Sequence, residues 1–383
     1  MKIGLCGFGV VGRGVYEITQ TRDDMQVTKV LCLEDIQLPD AEAVKDFNLI
    51  LADPEIDTVV EAMGGLHPSF EFVSAALKAG KNVVTSNKAL VAAHGPELAE
   101  LAEKNKVAFL FSAACGGGVP FLHNLALATE SDRILSVGGI LNGTTNYMLD
   151  AMQRRDMDYA DALKDAQRLG YAEADPTADV SGLDALRKIM LACAVAYDQL
   201  PSGGLYHEGI ESLTAADVAR FRAKGLTCRL LASGGLSDEG RVYAFVEPVL
   251  LPASAPECAV LDNFNLARYE GENSGAIIMI GQGAGRWPTA SAVIRDLSCI
   301  LQGQRVMMQS DCPRVRADNS ACSHAYYVRL PEAFADRLPL KDAEKDGSLV
   351  RAVTAPLSVS AMHEAAAEIR KAGAQVFFAA MGE

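Results

Sequence analysis

No apolar run in the chain reaches the length of a membrane span, and no segment is repeated or low in complexity. A membrane-embedded role is thereby set aside. Cysteine is scattered: nine residues, an odd count, with no C-x-x-C pair and no histidine at ligand spacing. That excludes a zinc module, and buried free thiols are the plain reading. Basic charge is in deficit, with 35 Lys and Arg against 49 Asp and Glu and a formal net charge of −14. This balance disfavours nucleic acid and anionic membranes as partners. The opening M-K-I-G-L-C-G-F-G has glycines where a signal peptide carries its apolar core, and no cleavage-like segment follows. A cytoplasmic protein is expected.

At 383 residues, 49% of them apolar, two or three domains are expected. Lys2 to Cys6 reads as a strand. G7-F-G9-V-V-G12 follows it and opens a helix, the context a dinucleotide fingerprint requires. Gly7 allows the tight turn, Gly9 admits a pyrophosphate and Gly12 lets helix and sheet approach, with Val10 and Val11 at the helix N-terminus facing the phosphates. Glu34 stands about twenty residues on, after a strand at Val27 to Leu33. An acid there binds ribose hydroxyls, although Glu34 also fits a solvated loop acid. No Arg or Lys follows at once to receive a 2′-phosphate, so NAD is expected to be preferred over NADP.

Further strands are expected at Asp57 to Glu61, Lys81 to Thr85 and Val107 to Phe111, with helices at Pro68 to Gly80 and Pro96 to Lys104. The loops after such strands face the cofactor, which singles out Gly64 in A-M-G-G. Lys88 is expected in the loop beyond the Lys81 to Thr85 strand, on the ligand side. The glycine run in S-A-A-C-G-G-G-V-P, Ser112 to Pro120, permits close backbone approach by a ligand or ion, Gly116 among them. N142-G-T-T-N-Y147 carries amides and hydroxyls able to bind a polar ligand, and equally suits a hairpin turn or helix cap.

Y171-A-E-A-D-P-T-A-D-V-S-G-L-D-A-L-R-K188 gathers Glu173, Asp175, Asp179, Asp184 and Lys188. The Asp175–Pro176 step ends an extended run and Ser181–Gly182 starts a helix. Asp184 and Lys188, four apart, share a face of it. Alone, the stretch also fits a solvated acidic loop with an ordinary ion pair. Strands of one antiparallel sheet are expected at Leu226 to Ala232, Arg241 to Leu250 and Ala276 to Gly281, followed by a glycine loop opening a helix from Gly281 to Val293.

Taken together, G7-F-G-V-V-G12, T85-S-N-K-A-L90, N142-G-T-T-N-Y147, the 171–188 stretch and G283-A-G-R-W-P-T-A290 resemble homoserine dehydrogenases from Met1 to about Gln304. The resemblance implies an α/β chain. A Rossmann-type domain over 1–130 is followed by an α+β substrate and dimerisation domain over 131–304, whose 280–304 helix packs back on the cofactor domain. It implies NAD(P)-dependent interconversion of L-homoserine and L-aspartate 4-semialdehyde, on the route to threonine and methionine, by at least a homodimer. Lys188 matches the family's catalytic lysine, and Asp184 an orienting acid. Glu173 matches the residue that grips the substrate amine, with Asp179 completing the acidic cluster beside Tyr171, Asn142, Gly143 and Thr144. Lys88 matches a lysine near both nicotinamide and substrate, and Gly285 a cofactor glycine. A sodium or potassium ion is implied on the backbone carbonyls of Cys115, Gly117 and Val119. Relatives commonly place a glutamate at Ser112, and a neutral serine weakens that site.

From about Ala325 the tail resembles a shortened ACT module over 320–383, with one strand and much of one helix expected to be missing. Two other readings remain at this point: a paralogous dehydrogenase of a related amino aldehyde, and a non-catalytic NAD-sensing regulator.

Overall fold

A computed structural model describes residues 1–382 of the chain, which divides into two compact units. The first comprises Met1–Arg133, Ala194–Leu200 and Gly281–Arg314. Its sheet contains β1 (Lys2–Cys6), β2 (Gln26–Leu31), β3 (Glu42–Val44), β4 (Thr58–Glu61), β5 (Asn82–Thr85) and β6 (Phe109–Leu110), in the order β3-β2-β1-β4-β5-β6. Every neighbouring pair is parallel. Central strands are short and buried on both faces, as the four fully buried residues of β4 illustrate. The strand order reverses beside β1, where a doubly wound sheet binds its ligand at the strand carboxyl ends.

One expectation is corrected here. Lys88 is not in a loop: it is the first residue of an 18-residue helix, Lys88–Asn105. Asn87 starts that helix by accepting a hydrogen bond from Leu90 N (3.1 Å). Pro96 lies inside the helix rather than at its start, and cannot donate to the Ala92 carbonyl. Arg314 supplies the missing donor, its Nη1 lying 3.3 Å from Ala92 O while Nη2 bonds Ala93 O.

The second unit comprises Ile134–Cys193, Pro201–Ile280 and the chain from Val315 onward. Its ten-stranded sheet holds β7 (Ile134–Ile140), β8 (Leu226–Leu236), β9 (Val242–Pro252), β10 (Phe264–Gly271), β11 (Gly275–Gln282), β12 (Tyr326–Pro331), β13 (Leu340–Asp346), β14 (Leu349–Thr354) and β15 (Phe377–Met381). They run β11-β10-β7-β8-β9-β15-β12-β14-β13, and Tyr206–His207 adds a short parallel strand on β9. β15 joins the tail to the central strands through a parallel pairing with β9, Val249 opposite Ala380.

The four tail strands lie in the order fourth, first, third, second, the ferredoxin-like arrangement. Their apolar faces close over the helix Val359–Lys371, burying Tyr326, Val328, Met362, Ile369 and Phe378. The strand expected to be absent is present as β13, Leu340–Asp346. It escapes sequence reading because K-D-A-E-K-D has no buried face, this being the exposed edge of the sheet. Between β12 and β13 the chain forms a six-residue 3₁₀ segment, Glu332–Arg337.

Candidate active-site residues

The turn after β1 defines a cleft of about 770 Å³ in the first unit. Gly7 has φ +98° and Gly12 packs so closely that an added Cβ would lie 2.1 Å from Gly7 O. Gly9, the N-cap of helix Val10–Thr19, has nothing within 4 Å of its Cβ position. The helix N-terminus is therefore open to a phosphate where the fingerprint puts one. Val10 is exposed and Val11 partly buried at this mouth. Gly64 also faces open space at φ +76°. Its loop is shaped by Glu61, fully buried, whose Oε1 accepts from Met63 N (2.9 Å), Gly64 N (3.1 Å) and Ser69 Oγ (3.1 Å).

Glu34 lines the cleft and pairs with Arg13 at 3.0 Å. Arg13 lies over the Phe8 ring at 5.2 Å. Lys45, on the loop after β3, lines the same cleft and pairs with Asp35 at 2.9 Å. Neither cation directly follows β2 in the chain. Arg13 is hidden by its place inside the first helix, Lys45 by the added strand between.

The second glycine loop is anchored by a buried carboxylate. Asp296, on helix Arg286–Leu301, accepts from Ser112 N (2.8 Å) and from Ser112 Oγ. Burial pushes its carboxyl up to about 7, against the lowering effect of those hydrogen bonds. Gly116 and Gly117 both have positive φ, and a Cβ on Gly117 would lie 2.5 Å from Gly283 O. Gly118 N donates to Gln282 O at 3.0 Å, so this loop rests on the turn that ends in Gly285, φ +115°. Cys115, Gly117 and Val119 lie in this buried loop, where Val119 N donates to Gly116 O at 2.9 Å. Among the described residues, no three His, Cys, Asp or Glu side chains group as a metal site, and no helix is long and apolar enough to cross a membrane.

In the second unit, Asn142 organises the polar cluster. It caps helix Gly143–Arg155, its Oδ1 accepting from Thr145 N at 2.9 Å. Its Nδ2 donates to Asp179 Oδ1 and to Asp184 Oδ2, both at 2.8 Å. Lys188 Nζ donates to Asp184 Oδ2 (2.7 Å) and Leu141 O (2.6 Å). Asp184 and Lys188 are 6% and 8% exposed, so theirs is a buried ion pair and not a solvated one. Burial first, then the Asp184 charge, raises the Asp179 carboxyl above its ordinary range. Thr144 Oγ1 donates to Tyr171 O at 2.6 Å, and the Tyr171 ring meets Tyr147 edge-on. Gly143 is held under Asn263 O, where a Cβ would approach to 2.5 Å.

Not every residue named from sequence joins this cluster. Glu173 is exposed, and Asp175 Oδ1 accepts from Thr177 N (3.1 Å) and Thr177 Oγ1 (2.6 Å) at the start of the short helix Thr177–Val180. Lys88 stands at its helix N-terminus, partly buried.

A parallel sheet in this order with an open glycine turn, in a chain that also carries a buried lysine–carboxylate pair, defines a nicotinamide-dependent oxidoreductase. The family model for homoserine dehydrogenase matches residues 120–298, and that for the homoserine dehydrogenase NAD binding domain matches residues 7–112. Similar proteins include the homoserine dehydrogenase of Corynebacterium glutamicum, 42% identical over 77% of this chain and 70% of the relative. That of Synechocystis is 36% identical over 86% and 79%. The crystal structure of a homoserine dehydrogenase from Thiobacillus denitrificans, 29% identical, aligns over 100% of this chain and 98% of its own with a TM-score of 0.87. The chain belongs to the homoserine dehydrogenase family.

Proposed function

We propose that this chain interconverts L-homoserine and L-aspartate 4-semialdehyde, with Lys188 as the residue that moves the proton. The observation that carries the proposal is the buried Lys188–Asp184 pair, tied through Asn142 to Asp179. A bound nicotinamide dinucleotide supplies or takes the hydride. In reduction, Lys188 gives a proton to the aldehyde oxygen; in oxidation its neutral amine takes the hydroxyl proton. Asp184 orients the lysine. Asp179 and Glu173 offer carboxylates to the substrate ammonium, with Tyr171, Asn142, Gly143 and Thr144 around them. Lys88 serves cofactor and substrate together.

Gly7, Gly9, Val10, Val11, Gly12, Gly64, Gly116 and Gly285 bound the dinucleotide. Glu34 favours NAD by accepting from the ribose diol. Arg13 and Lys45 in the same cleft favour some acceptance of NADP. A monovalent cation would rest on the carbonyls of Cys115, Gly117 and Val119 alone, since the neighbouring Asp296 carboxylate is taken by Ser112. The tail's strand order supports an ACT-like module with its first helix lost. Exposed Ile278 and Ile280 on the edge strand β11 support a homodimer through this sheet. A cytoplasmic location fits these roles.

Replacing Lys188 with Ala tests the proposal. Turnover is expected to fall about 10²- to 10⁴-fold while dinucleotide binding persists. Unchanged turnover would remove Lys188 from the mechanism.

A further inference from the structure

The tail helix Val359–Lys371 meets the segment around Glu208 through a charged side chain. Arg370 grips Glu208 in a two-pronged contact, Nη1 to Oε2 at 2.9 Å and Nη2 to Oε1 at 2.6 Å. Glu208 is 6% exposed, and its backbone N donates to Val246 O on β9 at 2.8 Å. The residues on either side of Glu208 hold the link between the short helix Thr177–Val180 and the helix Leu183–Tyr197, which carries Asp184 and Lys188. His207 Nδ1 meets Ser181 O at 2.7 Å, and Ile210 N donates to Val180 O at 2.9 Å. The approach is so close that a Cβ on Gly209 would lie 2.1 Å from Val180 O. Val180 and Ser181 stand between Asp179 and Asp184, the two acids joined by Asn142.

From this chain of contacts we infer that Arg370 and Glu208 are positioning residues for the substrate acids, so that the tail module sets the geometry of Asp179 and Asp184. The inference rests on the function proposed above. Neither residue touches the cluster. They act through the 207–210 segment, which fixes where the 179–184 segment stands. A buried carboxylate deprived of its guanidinium is costly, so the segment would move to rehydrate Glu208 once Arg370 is removed. Lys at the same position keeps the charge but forfeits the two-pronged fit.

The test uses the full chain with Arg370→Leu, Arg370→Lys and, as a control on the same helix contact, Tyr206→Phe, which removes only the hydroxyl bonded to Glu364 (2.9 Å). Two readouts are taken: KM for L-homoserine against KM for the dinucleotide, and amide hydrogen exchange over residues 177–186. In Arg370→Leu, homoserine KM and exchange in that segment should each rise about 2- to 30-fold, the span of couplings transmitted through packed networks. Dinucleotide KM should stay fixed, Arg370→Lys should recover part of the effect, and Tyr206→Phe should resemble wild type. A lowered melting temperature with unchanged exchange over 177–186 and unchanged homoserine KM would overturn the inference and leave a purely structural tie. If the wild type does not oxidise homoserine, the proposed function fails, while the exchange comparison still decides whether the tail holds this segment.

Discussion

Replacing Asp296 with Asn should change how stability depends on pH in a way that can be worked out from the fold. The carboxyl is fully buried and its pKa is raised from an ordinary 3.8 to about 7. A native state that holds the proton more tightly than the unfolded one loses stability as pH rises between those two values, and nothing further is lost above the higher one. Over that interval the loss is up to about 4 kcal/mol, a sizeable part of a typical folding free energy. Asparagine does not titrate. It also fits the site, with Oδ1 accepting from Ser112 N and Nδ2 donating to Ser112 Oγ. Relative to wild type, the variant should therefore gain up to about 4 kcal/mol between pH 4 and pH 8. Buried Glu247, its pKa raised to about 8, keeps its own slope in both proteins and cancels in the comparison. Urea unfolding of both proteins across this range gives the difference directly. A stability difference that is the same at every pH would refute the reasoning, because it would mean that Asp296 is not protonated preferentially in the native state.

Three further outcomes follow from contacts described above. Gly12→Ala should weaken NAD binding by about ten- to a hundredfold in a fluorescence titration, since its Cβ would press on Gly7 O at 2.1 Å and must push the turn aside. Asn142→Ala removes a helix cap worth about 1 kcal/mol together with the amide linking Asp179 to Asp184; denaturant unfolding should show the stability loss and steady-state kinetics a raised homoserine KM. Glu34→Gln removes the charge that opposes a 2′-phosphate and frees Arg13 from its ion pair; the ratio of NADP to NAD affinity should rise about tenfold, and an unchanged ratio would take Glu34 out of cofactor choice.

Much of the first unit could be read from the chain because its information is local. The fingerprint sits between a strand and a helix, and the parallel strands are short. The pairing of Asp184 with Lys188 likewise follows from helical spacing alone. What stayed hidden depends on distant partners. Pro96 suggested a helix start, yet Arg314, more than two hundred residues away, provides the donor that lets the helix begin at Lys88. β10 and the polar edge strand β13 went unread, the latter because an exposed edge has no alternation to detect. Nothing in N-G-T-T-N-Y announces that Asn142 bridges two acids 37 and 42 residues further on. That Glu61 and Asp296 shape two glycine loops is visible only from their burial and their hydrogen bonds. Glu173, which the resemblance matches to the residue that grips the substrate amine, stands exposed.

The most direct test of the account is L-homoserine-dependent reduction of NAD and NADP by the purified wild-type chain, each followed by nicotinamide absorbance. The account predicts turnover with both dinucleotides, faster with NAD, and none when homoserine is omitted. A folded protein that binds the dinucleotide but oxidises no homoserine with either one would contradict it.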